Sequence, residues 1–343
     1  MGVARTASTR LGFVDVLKGL VMVLVVICHE SLGVQKAGVH LPASFDPFIN
    51  YCYTFFMPLM FFLSGLFEER LLKKGKAEFF LGRARTLVYP FVMWSFITGA
   101  MMLSLRQLVN HSISKNPLMW FSLHPIGALW FFEALIICHV VYGTLRYLKI
   151  DKRIVAIIFA ICSVVGALLY DGNIGTQTLF VMGFFALGAC FSKEVFELPN
   201  VKPQIIISLA VISEILHVLL MQLPNSPHKM IGMAVFGCGA YLCIGAAVGN
   251  ASSLSTMRSI GVASLAIYVM HTIVGACVRI VLQKVLGIEA AVPLVISTIF
   301  FGLCIPWALF ALFNDRFPWL FRWPSRGQPQ SDSVTTAISY SAT

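Results

Sequence analysis

The sequence predicts an all-α integral membrane protein, a bundle of about ten transmembrane helices with both termini cytoplasmic. Three observations predict it. Of the 343 residues, 58% are hydrophobic and 12% charged, where a soluble domain carries about 25% charged residues; the mean hydropathy is +0.84. The apolar residues gather into runs near the roughly 20 residues that one helix needs to cross a bilayer. The formal charge of +10 is spread over the ends of these runs, where the positive-inside rule places Lys and Arg. That distribution argues against nucleic-acid binding.

The runs fall near 12–33, 48–68, 86–106, 126–147, 153–170, 176–192, 204–222, 230–249, 259–282 and 291–313. The first reads as a retained span rather than a cleaved signal peptide, because Glu30 and Lys36 come early and no small-residue cleavage site follows. Pro58 and Pro306 interrupt two runs without forming the matched half-helices of a transporter, and the stretch 153–192 admits another division. An even count puts both termini on one side. With that side cytoplasmic, nineteen of the 25 Lys and Arg residues face the cytoplasm, and Lys36, Arg106, Lys115, Lys229, Arg279 and Lys284 lie opposite. The chain divides into a membrane domain, 1–320, and a polar tail, 321–343, expected to be disordered in the cytoplasm. The nine cysteines lie in apolar runs with no C-x-x-C pair, so they read as small apolar residues rather than disulfides or metal ligands. No metal site is expected.

Three features stand apart from membrane packing. In Asp15-Val-Leu-Lys18-Gly19 and the apolar run to His29 and Glu30, ionisable groups inside lipid mark a functional site by default. The eleven residues from Lys18 to His29 are close to three helical turns, roughly 16 Å along one face. The bland alternative has Lys18 snorkelling to the interface and His29 bonding a neighbouring helix. The second feature is Phe61-Phe-Leu-Ser-Gly65, followed by a basic loop and Arg83-Ala-Arg85-Thr-Leu-Val-Tyr-Pro90. Lys73, Lys74 and Lys76 read as topology determinants, whereas Arg83 and Arg85 abut the next span, where a bound phosphate would meet them. The third pairs Leu129-Trp130-Phe-Phe-Glu133 with Gly261-Val-Ala-Ser264-Leu-Ala-Ile-Tyr268-Val-Met-His271. Glu133 is an acid inside a span. Ser264, Tyr268 and His271 share one helix face, as a pocket lining or as ordinary interhelical hydrogen bonding. His139 and His217, in apolar runs without such company, read as packing histidines.

Taken in order, these segments resemble the acyltransferase-3 family of integral membrane O-acyltransferases. Asp15 to His29 is similar to its opening R-x10-H pattern, with lysine in the arginine position, which keeps the charge and loses the bidentate fork. Phe62-Leu-Ser-Gly65 resembles the second-helix motif, and Arg83 to Pro90 the R-x-x-R-L-x-x-P segment, with Thr86 where the second arginine belongs and Arg85 one residue early. Leu129 to Phe132 and Gly261 to His271 resemble the later signatures; the opening variant looks closest to the fucose 4-O-acetylase-like branch. The likeness covers about residues 10–313.

The resemblance implies a membrane-bound O-acetyltransferase of the bacterial inner membrane. Such an enzyme moves acetyl from cytosolic acetyl-CoA to a hydroxyl of an envelope or exopolysaccharide sugar, a periplasmic or lipid-linked glycan. Within that reading Lys18, Arg83, Arg10 and Arg85 hold the donor's phosphates. His29 acts as general base, with Glu133 or Glu30 orienting it, and Trp130, Ser264, Tyr268 and His271 line the acceptor. An acetyl-histidine intermediate and direct transfer both fit, and a homo-oligomer is left open. The alternatives are a transporter or flippase for a glycan or lipid-linked sugar, and a sensor or structural protein, which leaves Lys18 and His29 unexplained.

Overall fold

The computed structural model describes residues 2–104, 127–249, 251–314, 316–321 and 323, with side chains from residue 12 onward. These residues form fourteen α-helices and no β-strand. They are α1 (Gly2–Lys36), α2 (Phe45–Gly65), α3 (Glu68–Leu72), α4 (Lys76–Arg83), α5 (Tyr89–Ser104), α6 (Trp130–Tyr147) and α7 (Lys152–Leu168). Then come α8 (Ile174–Cys190), α9 (Ser192–Glu197), α10 (Pro203–Met221), α11 (Pro227–Val248), α12 (Ser255–Val262), α13 (Ser264–Ile280) and α14 (Ala291–Phe313). A π-helical turn, Ala84–Val88, joins α4 to α5.

Among the described residues, eight helices are long and apolar enough to cross a membrane. The count becomes nine if α8 and the segment after it, bent by 63°, form one span. Eight or nine of the expected ten are thus long and apolar enough among the described residues; apolar runs do not by themselves measure helix length. α7 and α8 have 17 residues each, roughly 26 Å at the helical rise, against a hydrocarbon core of about 30 Å.

α1 is the central element, packed against α2, α11, α12, α13 and α14. Backbone meets backbone where α1 crosses α12: a Cβ on Gly19 would strike the Met257 carbonyl, and one on Gly261 the Asp15 carbonyl. Gly65 and Gly188 serve the α2–α8 crossing in the same way. Small residues at such crossings let helices approach where no hydrophobic force drives them together. α10 lies at the periphery, with Ile207, Val211, Ile212, Ile215 and Leu219 exposed on its outer face.

Helix ends are satisfied locally. Asp151 caps α7, Asn173 caps α8 and Ser226 caps α11, each accepting a backbone N–H. Lys229 turns back to donate to the Met221 and Leu223 carbonyls after α10. All nine cysteines are unpaired. Packing continues past the expected start of the tail: Phe321 is buried beside Trp94 and Phe310, and the Trp323 N–H donates to the Arg85 carbonyl. Aromatic burial thus holds the chain beyond residue 320, and most of 322–343 lies outside the described residues.

Candidate active site in the bundle core

α1 runs from a basic end, carrying Asp15 and Lys18, past His29 to Lys36. At the basic end the charges are paired rather than loose. Lys18 Nζ sits 5.5 Å from the Phe67 ring, and Asp15, 8% exposed, lies near Lys18 and Arg258. Arg258 donates to the Gly249 carbonyl at 3.0 Å. Beside Phe67, the carboxylate of Glu68 is fully buried; its Oε2 is 2.8 Å from His139 Nδ1 and 3.6 Å from Arg83 Nη2. Arg83 also lies over the Phe79 ring. Glu69 takes a bidentate pair from Arg146, at 2.8 and 3.1 Å, and a hydrogen bond from Tyr142.

These contacts revise the reading of several residues. His139 is a hydrogen-bond partner of a buried acid, not a packing histidine; the signal was Glu68-Glu69, two acids at the end of an apolar run. Arg83 faces inward, whereas Arg85, two residues on across the π-helical turn, takes no part in the ion pairs that hold Arg83. Residues two apart do not share a helix face. The side chain of Arg10 lies outside the described residues.

His29, half-buried, meets two rings. His271 stands edge-on at 5.3 Å between centroids, and Tyr53 stacks at 6.4 Å. His271 is fully buried. Its Nδ1 is 3.0 Å from the Ile267 carbonyl, an acceptor, so Nδ1 carries the hydrogen and Nε2 keeps its lone pair. Nε2 is buried without a hydrogen-bond partner among the described residues. A residue read as an acceptor lining is thus the immediate neighbour of His29. Tyr53, invisible to motif reasoning, completes the group.

Glu30 turns away from His29 into a notch between α13 and α14. A Cβ on Gly275 would fall on its carboxylate, and one on Gly302 would lie 3.6 Å from its Cγ. Arg279, 7% exposed, donates to the Gly33 carbonyl at 2.8 Å and lies near Glu30.

Tyr268 donates its hydroxyl to the Ala128 carbonyl, so that group is committed to packing. Its ring meets Phe131 and Phe132. Glu133, next along the chain, therefore enters the bundle at the level of Tyr268, about one turn from His271 toward Lys18. Trp130 stacks on Phe61, and Phe61 is eight residues, roughly 12 Å, from Tyr53 toward the basic end. Ser264 opens α13 three residues after Gly261, which touches Asp15. Trp130 and Ser264 thus stand on the Lys18 side of His29, away from the far side expected of an acceptor lining.

Among the described residues no group of three or more His, Cys, Asp or Glu is placed to hold a metal. A family model described as an acyltransferase domain, that of the acyltransferase-3 family, matches residues 11–311. No curated protein and no solved structure matches the chain.

Proposed function

Because this chain belongs to the acyltransferase-3 family of membrane acyltransferases, we propose that it is an O-acetyltransferase working across the bilayer. The donor is cytosolic acetyl-CoA, and the acceptor is a sugar hydroxyl of an envelope glycan or exopolysaccharide on the far side of a bacterial inner membrane. The observation that carries this reading is the pair His29 and His271, deep in the bundle and roughly 16 Å along α1 from the cationic end at Lys18. The charge asymmetry of the loops supports placing that end, with both termini, in the cytoplasm.

In this reading Lys18, Arg83, Arg10 and Arg85 hold the donor's phosphates. The donor's extended arm passes Ser264, Trp130 and Glu133 and brings the thioester to His29. The acceptor hydroxyl arrives from the opposite end. His29 takes its proton as the oxygen attacks the thioester carbonyl. The C–S bond breaks, and the imidazolium returns the proton to the departing thiolate, so the products are the ester and the free thiol. His271, its ring fixed by the Nδ1–H bond to the Ile267 carbonyl, positions the His29 ring. Glu30, seated on Gly275 near Arg279, fixes α1 against α13. Glu133, about one turn from His271 toward Lys18, is the acid that this reading assigns to the donor side.

General base catalysis contributes about 10²–10⁴ in rate. His29→Ala, in native membranes and matched for amount and thermal midpoint, is therefore expected to lose at least about 100-fold in acetyl transfer, read by mass spectrometry of isolated glycan. A folded His29→Ala protein with undiminished transfer refutes the reading. Loss of surface glycan itself, rather than of its acetyl groups, would assign the chain to transport.

A further inference from the structure

A second polar cluster lies on the other side of α2 from His29, where α2 meets α10 and α11. Tyr51 donates its hydroxyl to Glu214 Oε1 at 2.8 Å and lies 3.3 Å from the Tyr241 hydroxyl. Thr54 Oγ1 is 2.7 Å from His217 Nε2, and His217 Nδ1 faces Glu214 Oε2 at 3.6 Å. The His217 side chain is fully buried, whereas that of Glu214 is 33% exposed, on a helix whose outer face is Val211, Ile212, Ile215 and Leu219. His217, like His139, is therefore not a packing histidine.

The protons in this cluster can be counted. Thr54 has one hydroxyl hydrogen, and it goes to the Tyr51 carbonyl at 2.6 Å. His217 Nε2 must then donate to Thr54 Oγ1, which leaves Nδ1 as an acceptor in neutral imidazole. Nδ1 faces Glu214 Oε2, an acceptor in a carboxylate, and neither atom has another partner among the described residues. Two acceptors face each other unless a proton lies on one of them. Without it, the carboxylate oxygen Oε2 would be buried facing only another acceptor, which is costly within a membrane span.

We propose that Glu214 and His217 form an intramembrane proton-binding site, open to the bilayer and separate from the His29 pair. The groups facing it are Tyr51 and Thr54 from α2 and Tyr241 from α11. Tyr51 donates to Oε1 of this carboxyl, and the Tyr241 hydroxyl lies against that of Tyr51. Nothing in the proposal depends on the reaction at His29. The position does connect the two sites through one element: α2 places Tyr53 on His29, and Tyr51 and Thr54 on the proton site.

A hydrophobic carbodiimide tests the proposal directly on the full chain in native membranes. The protonated carboxyl adds across the C=N bond: its oxygen joins the central carbon, its proton goes to nitrogen, and rearrangement leaves a stable N-acylurea with nothing else consumed. Peptide mass mapping is expected to find the adduct on Glu214, and not on Glu30 or Glu68, which are shut from lipid at 3% and 0% exposure. The yield should fall by roughly tenfold per pH unit above the midpoint of the site, and Glu214→Gln should abolish it. Tyr51→Phe, which keeps the ring, should leave Glu214 modified and shift the midpoint. An unmodified Glu214 at every pH would overturn the proposal, since the carboxyl would be permanently ionised or closed to lipid. So would a yield independent of pH, or equal modification of Glu30 and Glu68.

Discussion

Replacing Glu68 with Gln tests whether the basic end of the bundle is held by buried charge. The substitution keeps volume and an acceptor for His139 Nδ1, and removes the charge that faces Arg83. Glu68 is fully buried, and the Arg83 side chain 18% exposed, at a separation of 3.6 Å. At that distance an effective dielectric constant near 20 gives an attraction of about 4–5 kcal/mol. Removing one partner of a buried pair costs about 3–5 kcal/mol, because the other charge is left without compensation. Glu68→Gln alone is therefore expected to destabilise by about 3 kcal/mol or more. Arg83→Gln alone should do likewise, and the double variant should lose far less than both together. The assay is reversible unfolding of the four proteins in one lipid-detergent mixture, as a double-mutant cycle. Contacting groups give coupling of about 0.5–3 kcal/mol. Single variants whose losses simply add would refute the argument, and Arg83 would then be held by its packing on Phe79.

Other perturbations reach different parts of the molecule. Lys18→Arg should leave donor use unchanged, whereas Lys18→Glu should raise the Michaelis constant for acetyl-CoA roughly tenfold, about 1.4 kcal/mol; an unchanged constant removes Lys18 from the donor site. Gly275→Ala drives a methyl group into the Glu30 carboxylate and should cost about 1–3 kcal/mol as overpacking, with lowered turnover. Gly82→Ala, where a Cβ meets open space, is the matched control and should be neutral or slightly stabilising in a thermal melt. Asp171, in the loop before α8, accepts hydrogen bonds from the Asn173 N–H and the Thr176 hydroxyl, which hold its carboxyl below the usual range. Its pKa is depressed in the folded protein, so its contribution is present above the unfolded pKa of about 3.9 and is lost as pH falls through the folded value. Hydrogen exchange should show amides 173–177 protected at neutral pH and released in acid, and Asp171→Asn should weaken that protection at neutral pH.

Fold class and family were legible from local signals, because each is written in consecutive residues. Apolar runs of spanning length, cations at their ends and a set of short motifs in order need no knowledge of what packs on what. His29 and Lys18 were legible for the same reason: helical rise places them on one stripe of one helix. The tertiary structure decided everything that depends on contact between helices. It put His271 rather than a carboxylate against His29, turned Glu30 into the notch at Gly275, gave His139 an acidic partner on another element, and set Tyr51 and Thr54 of α2 on the Glu214–His217 pair of α10. It also set Trp130 and Ser264 on the Lys18 side of His29, because helix direction and crossing level, not motif order, determine depth in the bundle. Helix count was less legible at α7 and α8, because hydropathy measures what a segment dissolves in, whereas spanning also depends on helix length. In lipid a charge is tolerated where another group answers it, and that partner comes from a distant part of the chain.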